Sequence, residues 1–191
     1  TRWLDPFLLD VRLEPRLQRF HLDPRSASPH LLDTQPVRRI DQQGIITAYA
    51  GKGWVIEHCT LSDSACSGLA LATGPESWYN PQSATQDLKG TSPHFHASGF
   101  HVVRHNTIER CGQAGIIGMI NGHSSLIEGN LIQDINVERK INGAETAGIK
   151  LHWAIDTVLR NNVIRRVYNA REGGQNFGVW LDFSCQGTRV T

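Results

Sequence analysis

The amino-acid sequence predicts an all-β fold, a right-handed parallel β-helix with long loop insertions. Residues 44–59 (GIITAYAGKGWVIEHC) align without gaps on residues 115–130 (GIIGMINGHSSLIEGN). A shorter unit recurs inside this template and keeps one position as asparagine in three of its four copies. In chain order, this position is Cys59, Asn106, Asn130 and Asn162. Short β-rich units that recur about every 20 to 50 residues are typical of solenoids, and the step of 24 residues between Asn106 and Asn130 fits one β-helix turn.

The recurrent asparagine has a physical reason in such a fold, because asparagines stacked at a tight bend can hydrogen-bond along the solenoid axis. We interpret the longer steps between copies as the same turn with added loops. An α/β fold with crossover helices is the alternative. The sequence disfavours it, since the linkers between predicted strands lack helical periodicity over about 10 to 15 residues.

Two regions are predicted along the chain. Residues 1–43 mix apolar pairs with arginines and prolines at no steady period, and such a density of proline disfavours long helices and central strands. We expect an irregular N-terminal segment there, with one or two short strands. Residues 44–191 are expected to form the β-helix domain, incomplete at its C-terminus because the sequence stops in what reads as a strand.

The Gly-apolar-x-apolar pattern of this domain predicts a series of short parallel strands. The predicted ranges are 45–49, 54–58, 69–72, 101–104, 107–108, 115–120, 125–128, 131–132, 148–153, 157–160, 163–164 and 178–183. Three insertions interrupt the turns, at residues 74–99, 136–143 and 168–177. Such loops either form the walls of a binding groove or decorate the surface. The pair His94 and His96 in the first insertion resembles a metal site only weakly, and loop histidines are the favoured interpretation.

Composition excludes several classes of function. The net charge of +1 and the absence of a basic run argue against nucleic acid as a partner, and 39% apolar with 19% charged residues is not a membrane composition. The four cysteines have no paired spacing and are interpreted as mostly buried thiols rather than zinc ligands or a dense disulfide framework. No signal-peptide pattern is visible, which favours the cytoplasm while leaving the compartment open. No cofactor or metal is predicted.

The strongest candidate for chemistry is a pair of related motifs. Residues 143–153 (GAETAGIKLHW) and 178–183 (GVWLDF) form related motifs, which align when Gly148 is placed on Gly178. Strand alternation then directs Ile149, Leu151, Val179 and Leu181 inward. The same alternation gives one outer face to Lys150, His152, Trp180 and Asp182, with rungs about 4.8 Å apart. Aspartate has a poor strand propensity, so its presence there indicates a function.

These two motifs, with residues 155–157 (IDT) and 186–190 (QGTRV), resemble glycoside hydrolase family 120. That family comprises parallel β-helix β-xylosidases that act with retention of configuration. The resemblance extends over roughly residues 44–191. Phe183 and Cys185 depart from it, because the family often has a larger aromatic residue and a small apolar residue at these two positions.

The resemblance implies a role for each residue of the two motifs. Asp182 is expected to be the nucleophile, while Glu145 and Lys150 are expected to hold sugar hydroxyls. The family's acid/base glutamate lies one turn further along, past Thr191, so these residues alone are expected to be inactive.

The chemistry also fits the residues themselves. A retaining glycosidase needs two carboxyl groups about 5 to 5.5 Å apart, a separation that adjacent rungs supply. Lys150 would keep the Asp182 carboxylate ionised, Trp180 offers an apolar face to a pyranose ring, and His152 lies on the same face. The family resemblance implies a β-xyloside or a related plant-cell-wall oligosaccharide as the substrate.

Three other functions remain open at this stage. A polysaccharide lyase would use Lys150 as its base, and would need acidic metal ligands beyond Glu145 and Asp156. A polygalacturonase-type inverting hydrolase would need several clustered aspartates. A non-catalytic adhesin or carbohydrate-binding surface would bind glycans without turnover. A solenoid ending at Thr191 would also leave its last turn unpaired, so these residues alone are expected to self-associate.

Overall fold

The computed structural model of the 191-residue chain describes some residues by their strand backbone alone and others with their side chains. Residues 8–13, 16–21, 31–33, 36–40 and 44–48 are described as strand backbone. Residues 52–71, 99–118, 122–140, 146–170, 176–182 and 185–191 are described with their side chains. In these ranges the regular elements are β-strands, and no helix there is long and apolar enough to cross a membrane.

Sixteen of the strands form three parallel sheets that run along a common axis. Sheet 1 contains β3 (Leu31–Asp33), β6 (Val55–Glu57), β9 (Val102–Arg104), β12 (Leu126–Glu128), β15 (Val158–Arg160) and β18 (Arg189–Val190). Sheet 2 contains β4 (Pro36–Ile40), β7 (Thr60–Ser64), β10 (Thr107–Glu109), β13 (Leu131–Ile135) and β16 (Val163–Val167). Sheet 3 contains β5 (Gly44–Ala48), β8 (Ser67–Leu71), β11 (Ala114–Gly118), β14 (Ala147–Leu151) and β17 (Phe177–Leu181).

The chain visits the three sheets in strict rotation, so that each coil contributes one strand to each sheet. Strands that are neighbours in a sheet are therefore one coil apart in sequence, and all of their pairings are parallel. This arrangement is a parallel β-helix, which confirms the predicted fold class.

The interior of the coil is a continuous apolar core. Inward-facing residues of all three sheets are fully buried and pack in one cluster, which includes Ile56, Leu61, Leu69, Val103, Ile108, Ile116, Ile127, Ile132, Ile149 and Leu151. Val179 and Leu181 pack against the same cluster and are partly buried. Burial of one such side chain stabilises the fold by about 1.5 to 3 kcal/mol, so stacking of coils is the main source of stability.

The recurrent asparagines form a ladder at the bend between sheets 1 and 2. Asn106 Nδ2 donates to Asn130 Oδ1 at 2.9 Å, and Asn130 Nδ2 donates to Asn162 Oδ1 at 2.9 Å. The same oxygens accept backbone N–H groups of the preceding coil. At the first rung, the N–H of Cys59 donates to Asn106 Oδ1. The predicted stacking along the axis is therefore confirmed.

Ion pairs on the outside join neighbouring coils. Glu128 accepts from Arg160 at 2.6 Å, and Asp134 accepts from Arg166 at 2.6 Å. The hydrogen bonds from these guanidinium groups lower the pKa of both carboxyl groups. Each pair spans 32 residues of sequence, the same step as Asn130 to Asn162, so these contacts fix the register of adjacent coils.

The strands differ from the sequence prediction at several points. Residues 60–64 form β7, which was not predicted because a polar run (TLSDS) lacks an apolar alternation. Residues 1–43 were expected to be irregular, with one or two short strands. The described ranges there contain four strands, because β1 (Leu8–Leu13) pairs antiparallel with β2 (Arg16–His21) and because β3 and β4 pair with β6 and β7. The described coils therefore begin at Leu31, before Gly44.

All four cysteines are free thiols, as predicted. Cys59 and Cys111 are buried, while Cys66 and Cys185 are half-buried. Burial raises the pKa of the Cys111 thiol to about 12, which makes it unreactive near neutral pH.

Candidate functional site

The two motifs meet side by side in sheet 3. In the pairing of β14 with β17, Ile149 lies opposite Val179, Lys150 opposite Trp180, and Leu151 opposite Leu181. The predicted register is therefore correct. Lys150 and Trp180 point away from the apolar core cluster, and they begin a polar patch at the ends of β14 and β17.

Gly148 is required for this close stacking. A Cβ atom at this position would collide with Ile164 of sheet 2 and would lie 2.7 Å from the carbonyl oxygen of Gly178. Glycine therefore allows β14 and β17 to approach each other and sheet 2. The same local sequence then places Lys150 two residues further on, directly beside the partner strand.

The Lys150 side chain is buried, which corrects the prediction of an exposed outer face. Only 1% of this side chain is accessible, although it lies on the side of the sheet opposite the core. Strand alternation predicts the side of a sheet, whereas burial depends on what covers that side. A buried ammonium is stable only with charged or hydrogen-bonding partners.

Asp182 is the main partner of that ammonium. Lys150 Nζ donates a hydrogen bond to Asp182 Oδ2 at 2.8 Å, and 25% of the aspartate side chain is exposed. His152 Nε2 lies 3.7 Å from the same oxygen, and its side chain is 11% exposed. A carboxylate so placed is held in one position and kept charged by the ammonium, yet an outside molecule can reach it.

Trp180 completes the patch. Lys150 Nζ lies 3.4 Å from the centroid of the indole ring, a cation–π contact that further stabilises the buried charge. The Phe177 ring packs at a tilt of 44° with its centroid 4.6 Å from that of Trp180. One face of the indole is therefore used by the lysine.

Both His152 and Asp182 lie immediately after their strands rather than inside them. The predicted strands 148–153 and 178–183 end earlier, at Leu151 and Leu181. Trp153 adopts a positive φ of 49°, so the chain turns there and cannot continue as a strand. The backbone still holds both residues, because the N–H of His152 donates to Gly118 O and the N–H of Asp182 donates to Leu151 O, each at 2.9 Å.

Comparison with known proteins agrees with this architecture. Residues 43–191 match the family model described as the right handed beta helix region. The chain belongs to the right-handed β-helix family. No curated protein matches it.

One solved structure that is similar to this β-helix protein is "The complex structure of XylC with xylose". The two chains share 34% sequence identity with a TM-score of 0.65. The match covers 79% of this chain and 24% of the other. This chain thus spans about a quarter of the length of the protein it resembles.

Other predicted site features lie outside the described residues or outside the patch. Glu145, His94 and His96 are not among the described residues. Where the side chains are described, no group of three or more His, Cys, Asp or Glu residues could hold a metal ion. Cys185 Sγ contacts the carbonyl oxygen of Leu151 at 3.7 Å, which places this departure from the family pattern against the same strand end.

Two cavities of this β-helix protein lie away from Lys150 and Asp182. One, of about 500 Å³, lies on the outside of sheet 1 and is lined by Phe100 and Asp156 among others. The other, of about 660 Å³, lies near Asp63 and Arg110. The chemistry of the buried ion pair, rather than the size of a cavity, distinguishes the candidate site. The paired carboxylates that line the second cavity, Asp63 and Asp134, are bound by exposed guanidinium groups and not by a buried ammonium.

Proposed function

We propose that this chain is part of a retaining glycoside hydrolase of the β-xylosidase type, in which Asp182 is the nucleophile. The observation that best supports the proposal is the ion pair itself, a partly exposed carboxylate 2.8 Å from a buried ammonium. The likeness to a protein solved with xylose supports the class of sugar. The motif resemblance to glycoside hydrolase family 120 supports the retaining mechanism.

The proposed reaction has two steps. An Asp182 carboxylate oxygen attacks the anomeric carbon of a β-xyloside, and the bond from that carbon to the leaving oxygen breaks while an acid protonates that oxygen. Water then attacks the same carbon, releases xylose and regenerates the carboxylate. Two inversions give net retention.

Lys150 has a defined part in this scheme. Its ammonium keeps Asp182 ionised and therefore nucleophilic. Because its side chain is buried, we propose that it acts chiefly through Asp182. Its expected contact with sugar hydroxyls stays a prediction from the family resemblance, as does that of Glu145.

The proton donor is a separate part of the proposal. On the family resemblance, a glutamate one coil beyond β17 would protonate the leaving oxygen. The rung separation of about 4.8 Å would then set the two carboxyl groups at the distance that retaining enzymes use. Glu145 is the alternative donor within these residues.

A polysaccharide lyase is supported less well. Its base would be Lys150, but Lys150 Nζ donates to Asp182 and lies against Trp180. An amine in that position would have to leave both partners to remove a proton from a uronate.

The test uses the gene product that contains these residues and an aryl β-xyloside as substrate. Asp182→Asn should lower turnover by roughly several hundredfold or more, because the attacking carboxylate is lost while the shape of the side chain is kept. Asp134→Asn is the matched control, since Asp134 is 24% exposed and is also ion-paired. This control should keep its activity. Full turnover by Asp182→Asn would contradict the proposal, as would conversion of a polyuronate by the unmodified protein to an unsaturated product that absorbs in the ultraviolet.

A further inference from the structure

A groove on the outside of sheet 1 has the features of a second ligand site. Its volume is about 500 Å³, within the range of about 300 to 1,000 Å³ that small-ligand sites occupy. Outward-facing aliphatic side chains of three successive coils, Val102, Leu126 and Val158, form its floor and are only partly buried. We call this surface the sheet 1 groove.

Phe100, which lines the groove, combines an exposed aromatic ring with a backbone conformation that bulky residues seldom adopt. The residue is 49% exposed, and its backbone has a positive φ of 59°. A bulky residue rarely adopts this conformation, which strains the backbone around Cβ. Its contacts with Lys52 and with the His123 ring leave about half of the residue open to solvent.

The other coils confirm that the position does not require an aromatic residue. Phe100 precedes Ser124 by 24 residues and follows Gly53 by 47, the steps that separate the ladder asparagines and Cys59. Where this turn is described, its five residues all have a positive φ, and they are Gly53, Phe100, Ser124, Asp156 and Gly187. Glycine and aspartate suit this conformation, whereas a bulky aromatic residue does not.

Polar groups of coils further along the axis also line the groove. Asp156 and Arg189 are exposed and line the same cavity, and in the described part of the chain neither has an ion-pair partner. Arg160 also lines it, held by Glu128 at 2.6 Å. Lys52 Nζ lies 4.3 Å from the Phe100 centroid, so one side of the ring already faces a cation.

We infer that the sheet 1 groove binds a pyranose chain, with one sugar ring packed on Phe100 and hydroxyl groups of further rings along the chain bonded to Asp156 and Arg189. A pyranose has an apolar face of C–H groups and an edge of hydroxyls, which matches an aromatic and aliphatic floor with a carboxylate and a guanidinium at its edge. A protein partner would need about 1,200 Å² or more of surface, whereas this groove is small. The choice of xylan as ligand rests on the proposed function, although the groove is separate from Asp182.

The test replaces Phe100 with the residue found at the same turn in two other coils. Phe100→Gly removes the ring and relieves the strained backbone, so the variant should melt at the same temperature or higher. If the ring serves only to pack against Lys52 and His123, the melting temperature should fall instead. The control is Val163→Ala, which changes an apolar residue of similar exposure, 54%, on β16.

Binding is measured by retardation of the gene product in native gels that contain soluble xylan. All variants also contain Asp182→Asn to prevent turnover, so that binding at the catalytic site is the same in each variant and cancels in the comparison. Phe100→Gly should weaken the apparent affinity by about tenfold, the effect expected from loss of a central aromatic contact, while Val163→Ala should not.

Equal retardation with and without the Phe100 ring, or no retardation of either protein, would overturn the inference. The proposed function fails independently, through the absence of xyloside hydrolysis by the protein with Asp182 intact. Retardation that depends on Phe100 would then still support the groove.

Discussion

The buried ammonium of Lys150 stabilises the charged form of a carboxylate that is itself partly exposed. Removing this ammonium from water costs roughly several kcal/mol, which its attraction to the carboxylate and further contacts must offset. The 2.8 Å hydrogen bond to Asp182 and the contact with the Trp180 ring supply that compensation. A buried ion pair contributes less stability than a well-packed apolar residue would, so the presence of a lysine here favours a function for Asp182.

Replacement of Lys150 tests whether its charge keeps Asp182 ionised. Lys150→Met keeps most of the side-chain volume but removes the positive charge beside Asp182. The aspartate should then require a higher pH to stay ionised, because an adjacent cation favours the charged form and its loss favours the protonated form. We expect the acidic limb of the pH–rate profile to move to higher pH, with a smaller loss of turnover at its optimum than Asp182→Asn causes.

Lys140→Met is the control for this experiment, because Lys140 is 79% exposed and pairs with Glu138 at the surface. Its pH–rate profile should match that of the unmodified protein. A large loss of rate at every pH in Lys150→Met, with the acidic limb unmoved, would instead indicate that Lys150 contacts the substrate directly.

At the scale of single elements, the asparagine ladder shows how a bend is repeated from coil to coil. Asn130 is 1% exposed, accepts from Asn106 and donates to Val103 O and Asn162. Each amide therefore satisfies its own polar atoms and those of the neighbouring coil. Without such partners, buried polar groups at a bend would cost about 1 to 3 kcal/mol each.

Removal of the central rung should destabilise the β-helix. Asn130→Ala deprives Asn106 and the Val103 carbonyl of buried partners, so the free energy of unfolding should fall by about 2 to 5 kcal/mol. The midpoint of urea denaturation measures this loss. Asn176→Ala is the control, since Asn176 is exposed and should change the midpoint little. Equal midpoints for the two variants would contradict the stabilising role of the ladder.

The elements of sheet 3 could be predicted because their local pattern is strong. The alignment of Gly148 with Gly178 and the alternation after these glycines predict the register of β14 with β17. The spacing of the asparagines predicts their stacking at the bend between sheets 1 and 2. Strand β7 could not be predicted, because its polar residues have no apolar alternation and its position is determined by the strands of the neighbouring coils. The burial of Lys150 could not be predicted either, because alternation within one strand contains no information on what covers the sheet.

At the scale of the whole molecule, the coils form a one-dimensional stack in which each coil contacts its neighbours. Strands β3 and β4 join this stack by pairing with β6 and β7, despite a proline-rich sequence that obscured their pattern. Pro36 occupies the first position of its strand, where the missing N–H is tolerated. Tertiary pairing thus overrode a weak local propensity.

The stack also explains why two distant segments form one site. Lys150 and Asp182 are separated by 32 residues, one coil, and the coil repeat places them at adjacent rungs. A catalytic pair of carboxyl groups is expected to be assembled in the same way. The proposed mechanism therefore depends on Asp182 being the group that attacks the sugar.

The most direct measurement is covalent trapping with 2,4-dinitrophenyl 2-deoxy-2-fluoro-β-xyloside, followed by proteolysis and mass spectrometry of the gene product that contains these residues. Dinitrophenolate leaves without protonation, so the first step does not need the proton donor, while the fluorine slows hydrolysis of the ester. We predict one fluoroxylosyl group per protein, attached to Asp182, and no adduct in Asp182→Asn. An adduct on a different carboxylate, or steady release of dinitrophenolate without any adduct, would contradict the assignment of Asp182 as the nucleophile.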